Sequence, residues 1–152
     1  MKGIERWSHP TWNLLHTLVE KTKPESFLKI KGKLFWIFRN ICNTLPCPDC
    51  RGHAVNFVKT IKFKNIKNKD QLKYVIFVFH NNVNERLRKP KFTIEQLNKT
   101  YSDKNTYLVI KKFMSDYSRN GAGNRDMANN MARNILLRNM GTWFRKNLHH
   151  FD

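Results

Sequence analysis

The chain has 152 residues, enough for one globular domain and short for two. Its 40% hydrophobic and 12% aromatic content supports a buried core and excludes a disordered tail. Lysines and arginines number 29 against 11 acidic residues, a net charge of +18; such a surface attracts nucleic acid, phosphorylated cofactors, acidic membranes or acidic proteins without choosing among them.

No apolar run approaches the ~20 residues of a membrane span. The N-terminal stretch "MKGIERWSHPTWNLLHTLVEK" has no uninterrupted apolar segment of the secretory kind. The expectation is a soluble, cytoplasmic protein. Three cysteines are too few to staple a fold with disulfides.

Helical spacing runs through the sequence. Trp7, Trp12, Leu15, His16 and Val19 recur on one helical face, which Lys23-Pro24 ends. A second helix is expected from near Glu25, carrying Phe27, Leu28, Ile30, Leu34, Phe35, Ile37, Phe38 and Ile41, and stopping before Leu45-Pro46. A third, shorter helix starts at Cys47-x-x-Cys50 and carries Ala54, Val55, Phe57 and Val58.

The fourth expected helix runs from about Lys69 to Lys89, with a buried stripe of Leu72, Val75, Ile76, Phe79, Val83 and Leu87, closed by Pro90. Thr93 caps a fifth, "TIEQLNKTY", with Glu95 in its first turn. "YLVIKKFMSDY" reads as helical, and Gly121-Ala122-Gly123-Asn124 breaks it. From Arg125 to Leu148 an amphipathic basic helix is expected, with Ala128, Ala132, Ile135, Leu136 and Trp143 on its packing side. The pattern is all-α.

Cys47 and Cys50 fall at a helix start, where unpaired amides and the helix dipole favour negative charge. A thiolate there is stabilised, and its pKa falls into the range of roughly 3.5–7.5. Pro48 suits the first helical position, and Arg51 adds positive charge. Thiol–disulfide exchange fits this pattern. So does zinc bound by Cys47, Cys50 and His53 with His149 or His150 as a fourth ligand, as part of a basic nucleic-acid-binding module. Two inert thiols are the third reading.

A second polar cluster lies on the fourth helix, in "FVFHNNVNERLRKPKF". His80, Asn81 and Asn84 project to one side beside Phe77, Phe79 and Val83. Trp12 and His16 likewise share a face. Taken alone, a solvated Asn-rich helix and a Trp–His core pair are the better explanations of these features, although a flat aromatic cofactor needs the same stacking surfaces and amide donors.

Together, "TWNLLH" (Thr11 to His16), "LPCPDCRGHAVNF", "FHNNVNERLRKPKF" and Tyr101 resemble the ERV/ALR family of FAD-dependent sulfhydryl oxidases. The resemblance covers Trp7 to about Tyr101. It implies a four-helix bundle with a short fifth helix over residues 1–101, FAD as cofactor, and usually a homodimer. By this resemblance Cys50 lies against the flavin and Cys47 exchanges with substrate. Thr11, Trp12 and His16 line the cofactor, His80, Asn81 and Asn84 hold it, Lys89 meets its phosphates, and Tyr101 stacks on the adenine. Electrons from a dithiol protein, or from a thioredoxin-like shuttle, would pass to oxygen and give hydrogen peroxide.

Leu45 stands where the family usually has Tyr, the bracing cysteine pair of many members is absent, and Cys42 is alone. Short members of this kind are similar to those of asfarviruses, iridoviruses and poxviruses, which form disulfides in virion proteins in the host cytoplasm. Residues 102–152 have no counterpart in the resemblance. They are expected to form a helical extension packed on the bundle or the dimer.

Overall fold

The computed structural model describes residues 2–119 and 126–152; the break expected at Gly121–Asn124 lies outside them. Among the described residues seven α-helices follow in order: α1 (Lys2–Lys21), α2 (Phe27–Thr44), α3 (Pro48–Lys59), α4 (Lys69–Arg86), α5 (Ile94–Tyr101), α6 (Thr106–Arg119) and α7 (Met127–Asn147). There is no strand among the described residues, only an isolated bridge between Thr22 and Phe151. The fold is all-α: four bundle helices, a short fifth and two C-terminal helices. None of the described helices is long and apolar enough to cross a membrane.

The helices end where local chemistry ends them. Cys47 caps α3 and Pro48 takes its first turn. Thr93 and Gln96 exchange side-chain and backbone bonds in a capping box at the start of α5. α4 stops at Arg86, three residues before the expected end. There the Arg88 N–H donates to the Glu85 carbonyl at 3.1 Å, and the Lys89 N–H to the Asn84 carbonyl at 2.8 Å. This Schellman closure requires a left-handed residue, and Arg88 takes it with φ 57°.

α1 is the central element, packing against α4, α5 and α6, while α2 packs against α3 and α7. Leu14, Leu18, Ile37, Phe38, Ile41, Phe113, Tyr117 and Met140 are among the most deeply buried side chains. The C-terminal helices thus contribute to the same core cluster as the bundle. The chain end is strapped to the turn after α1: Lys23 N–H donates to His150 C=O at 2.9 Å and Asp152 N–H to Lys21 C=O at 2.7 Å.

Five residues expected in the core are exposed instead. Leu28 is 72% exposed, because it sits two residues, about 200°, from the buried Ile30. Leu87 is exposed because the helix has already ended beneath it. On α7 the packing face is rotated: Ala128, Ala132 and Ile135 are exposed, and Asn129, Arg133, Leu136, Leu137, Met140 and Phe144 are buried. Two polar side chains go inward there because α2 offers them backbone carbonyls.

Candidate functional site

A cavity of about 210 Å³ opens between α1, the end of α2, the start of α3, and α4. Trp12 on α1 and His80 on α4 form one wall, their rings parallel within 4° and 3.9 Å apart between centroids. Phe79 packs against Trp12 at 5.1 Å and Phe92 against His80 at 4.8 Å. Thr11, Cys50, Asn84, Lys89 and Tyr101 also line the space. Seven of the ten residues singled out in the sequence therefore meet around one cavity: Thr11, Trp12, Cys50, His80, Asn84, Lys89 and Tyr101.

The other three stand one step away. His16 lies behind His80, with its Nε2 at 2.8 Å from His80 Nδ1, and Tyr101 stacks on the His16 ring at 4.7 Å. Burial, and then His80, pushes the His16 pKa down to about 3; burial, with Lys89 and His9, takes His80 to about 4. Both rings are neutral at pH 7, so one donates and the other accepts. Asn81 turns to the chain after Pro90: its Nδ2 donates to Phe92 C=O at 2.9 Å and its Oδ1 accepts from Phe92 N–H at 2.8 Å. Cys47 caps α3 and does not line the cavity.

The cysteine chemistry differs from expectation at Cys50. Its thiol is pushed up to about 11, first by burial and then by the hydrogen bond and charge of Cys47. The helix-start amide serves the other sulfur: Cys50 N–H donates to Cys47 Sγ at 3.2 Å. Arg51, expected to supply positive charge, turns away, its Nε donating to Leu45 C=O at 3.0 Å and its Nη2 pairing with Asp126 at 3.2 Å. The cation acting on Cys50 is Arg86, which opposes the upward shift. Sequence reasoning passed over Arg86, although Phe79, Val83 and Arg86 follow the i, i+4, i+7 spacing of one helical face.

Asn84 is the clearest sign of a ligand. It is 5% exposed, lines the cavity, and its Nδ2 has no hydrogen-bond partner. A buried amide left unpaired costs about 1–3 kcal/mol, and an acceptor entering the cavity removes that cost. Flat aromatic walls, a buried amide donor and a lysine at the edge suit FAD, with its planar ring system and pyrophosphate.

The ligand set required for zinc is not assembled. His53 Nε2 lies 3.8 Å from Asp49 Oδ1, and His150 Nδ1 is 2.8 Å from Ser26 Oγ. Ser26 begins α2 and Cys47 follows its far end, about 27 Å along an 18-residue helix. Among the described residues, no three His, Cys, Asp or Glu side chains are grouped to hold a metal ion.

The African swine fever virus (isolate Pig/Kenya/KEN-50/1950) protein named "FAD-linked sulfhydryl oxidase" is 32% identical over 83 residues, spanning 55% of this chain and 69% of its own. The vaccinia virus (strain Copenhagen) protein named "Probable FAD-linked sulfhydryl oxidase OPG072" is 27% identical over 92 residues, spanning 60% of this chain and 90% of its own. No solved structure matches. The Erv1/Alr family profile matches residues 9–102, the stretch holding most of the cavity lining and the Cys47–Cys50 pair, and the chain belongs to the Erv1/Alr family.

Proposed function

We propose that the chain is an FAD-linked sulfhydryl oxidase that makes protein disulfides through Cys47 and Cys50. The observation that carries this reading is the division of the pair. Cys50 lines the cavity beside Trp12, His80 and Asn84, whereas Cys47 stands outside it at the start of α3.

The division suggests the order of events. A substrate thiolate attacks Cys47 Sγ of the oxidised pair, and Cys50 leaves as a thiolate whose charge Arg86 meets. The second substrate thiolate attacks the substrate sulfur of the mixed disulfide and releases Cys47. Two electrons and two protons have then passed from substrate to the pair. Bound FAD would supply the two-electron acceptor that returns the pair to its disulfide, with oxygen as final acceptor giving hydrogen peroxide. Trp12, His80 and Tyr101 would give it flat walls, Thr11 a small side contact, Asn84 a buried donor and Lys89 a phosphate partner. His16 fixes the His80 ring, and Asn81 fixes Phe92 at the mouth.

The viral relatives support a role in forming disulfides of viral proteins in the host cytoplasm and virion. Residues 1–101 form the oxidase bundle and 102–152 an extension packed on it. The active form is a homodimer, which light scattering tests directly.

The deciding experiment records the visible spectrum of the purified protein and its oxygen uptake with dithiothreitol. A flavin spectrum with uptake that disappears in Cys47→Ser and Cys50→Ser supports the reading. A colourless protein that binds zinc and takes up no FAD overturns it.

A further inference from the structure

The segment before the cysteine pair, "CNTLPCPDC", has an unusual backbone problem. A helical carbonyl is normally met by the amide four residues on. For Cys42 and Thr44 those residues are Pro46 and Pro48, which have no N–H. The last turn of α2 therefore needs donors from elsewhere, immediately ahead of Cys47.

For Thr44 and its neighbours, donors come from outside the family match. Thr44 C=O accepts from Asn129 Nδ2 at 3.1 Å and Arg133 Nη1 at 3.4 Å. Leu45 C=O accepts from Asn129 Nδ2 at 3.4 Å as well as from Arg51. Tyr117 of α6 donates its hydroxyl to Ile41 C=O at 3.2 Å and sits 2.9 Å from Thr44 Oγ1. Asp126 completes the arrangement: it pairs with Arg51, the residue after Cys50, and caps α7 by accepting from Asn129 N–H at 3.1 Å.

Arg133 is 2% exposed, and burying a guanidinium costs free energy that an apolar side chain would not. It is placed where that cost is reduced, at the negative end of the α2 dipole. A cation and an amide aimed at two consecutive carbonyls fix where the chain enters Cys47. We propose that Asn129 and Arg133 are positioning residues for the Cys47–Cys50 pair, meeting the Thr44 carbonyl that Pro48 leaves without a backbone donor. The inference rests on the reading of that pair as redox-active.

The test uses the full chain with bound flavin and the variants Arg133→Met, Asn129→Leu and Arg133→Lys. Two measurements go beyond stability. One is kcat and KM for dithiothreitol per bound flavin. The other is the equilibrium in which two glutathione thiols reduce the Cys47–Cys50 disulfide to two thiols and form oxidised glutathione, read without turnover. Arg133→Met and Asn129→Leu are expected to lower kcat at least tenfold with KM within threefold, and to move the glutathione equilibrium at least threefold. Arg133→Lys restores most of both.

A fall in melting temperature alone, with kcat and equilibrium within twofold of the parent, overturns the proposal. Should Arg133→Met not fold, Asp126→Asn carries the test, since Asn also caps helices and what is lost is the carboxylate charge acting on Arg51 and Arg133. A threefold change in kcat or in the equilibrium is then expected, and none overturns the proposal. A parent that oxidises no dithiothreitol overturns the redox reading and this inference with it.

Discussion

His16 and His80, 64 residues apart in sequence, share a 2.8 Å hydrogen bond between Nε2 and Nδ1 inside the bundle. The bond joins α1 to α4 and sets the angle of the His80 ring that stacks on Trp12. It requires one ring to accept, so protonating both destroys it.

That requirement makes stability depend on pH. Folded-state pKa values of about 3 and about 4 lie below the ordinary histidine value of 6.5. The unfolded chain then binds more protons between those limits, and stability present above pH 6.5 is lost as pH falls. Urea unfolding at pH 7 and pH 5 is expected to differ by up to about 2 kcal/mol for each histidine. His16→Gln should remove about half of the difference, and equal stability at the two pH values contradicts the assignment.

Cys42 is a buried thiol at the cavity wall, pushed up to about 12 by burial. It stays protonated at neutral pH and is a poor nucleophile. Cys42→Ser is expected to keep dithiothreitol oxidation within twofold while lowering stability by about 1–2 kcal/mol, the cost of a buried hydroxyl. Near-total loss of activity in a folded variant would assign Cys42 a role in electron transfer.

Arg86 holds down the Cys50 pKa against burial and Cys47. Removing its charge in Arg86→Gln moves that pKa further up and leaves less thiolate at a given pH. Iodoacetamide labelling of Cys50 at pH 8, read by mass spectrometry, is expected to slow at least threefold. An unchanged rate would mean that solvent, and not Arg86, supports the thiolate.

At the end of α4, Arg88 occupies a left-handed position with φ 57°. An L side chain there costs about 1–2 kcal/mol, and Gly avoids that strain while adding freedom to the unfolded chain. Arg88→Gly is expected to raise stability by about 0.5–1 kcal/mol in thermal unfolding. A lower melting temperature would show that the Arg88 side chain stabilises the fold by more than this strain.

The site was legible in the sequence wherever its residues belong to one helix. Thr11, Trp12 and His16 lie within a turn or so of α1, and His80, Asn81 and Asn84 within four residues of α4. The helical repeat of 3.6 residues places such neighbours without tertiary information. The capping of α3 by Cys47 and of α5 by Thr93 was equally local. Arg51 misled because adjacency in sequence to Cys50 says nothing of where a long side chain turns, and here Leu45 and Asp126 draw it away.

The helices, the caps and the family were readable from sequence, because spacing and cap chemistry act over a few residues. Which face of α7 turns inward was settled only by packing against α2. Hydrophobicity pointed to Ala128, Ala132 and Ile135, but Asn129 and Arg133 are buried because the last carbonyls of α2, with Pro48 unable to donate to Thr44, take their side-chain donors. Likewise Arg86 reaches Cys50 only because α4 is folded against the start of α3. Which polar side chain goes inside depends on what a distant segment leaves unsatisfied, and that demand exists only once the segments have met.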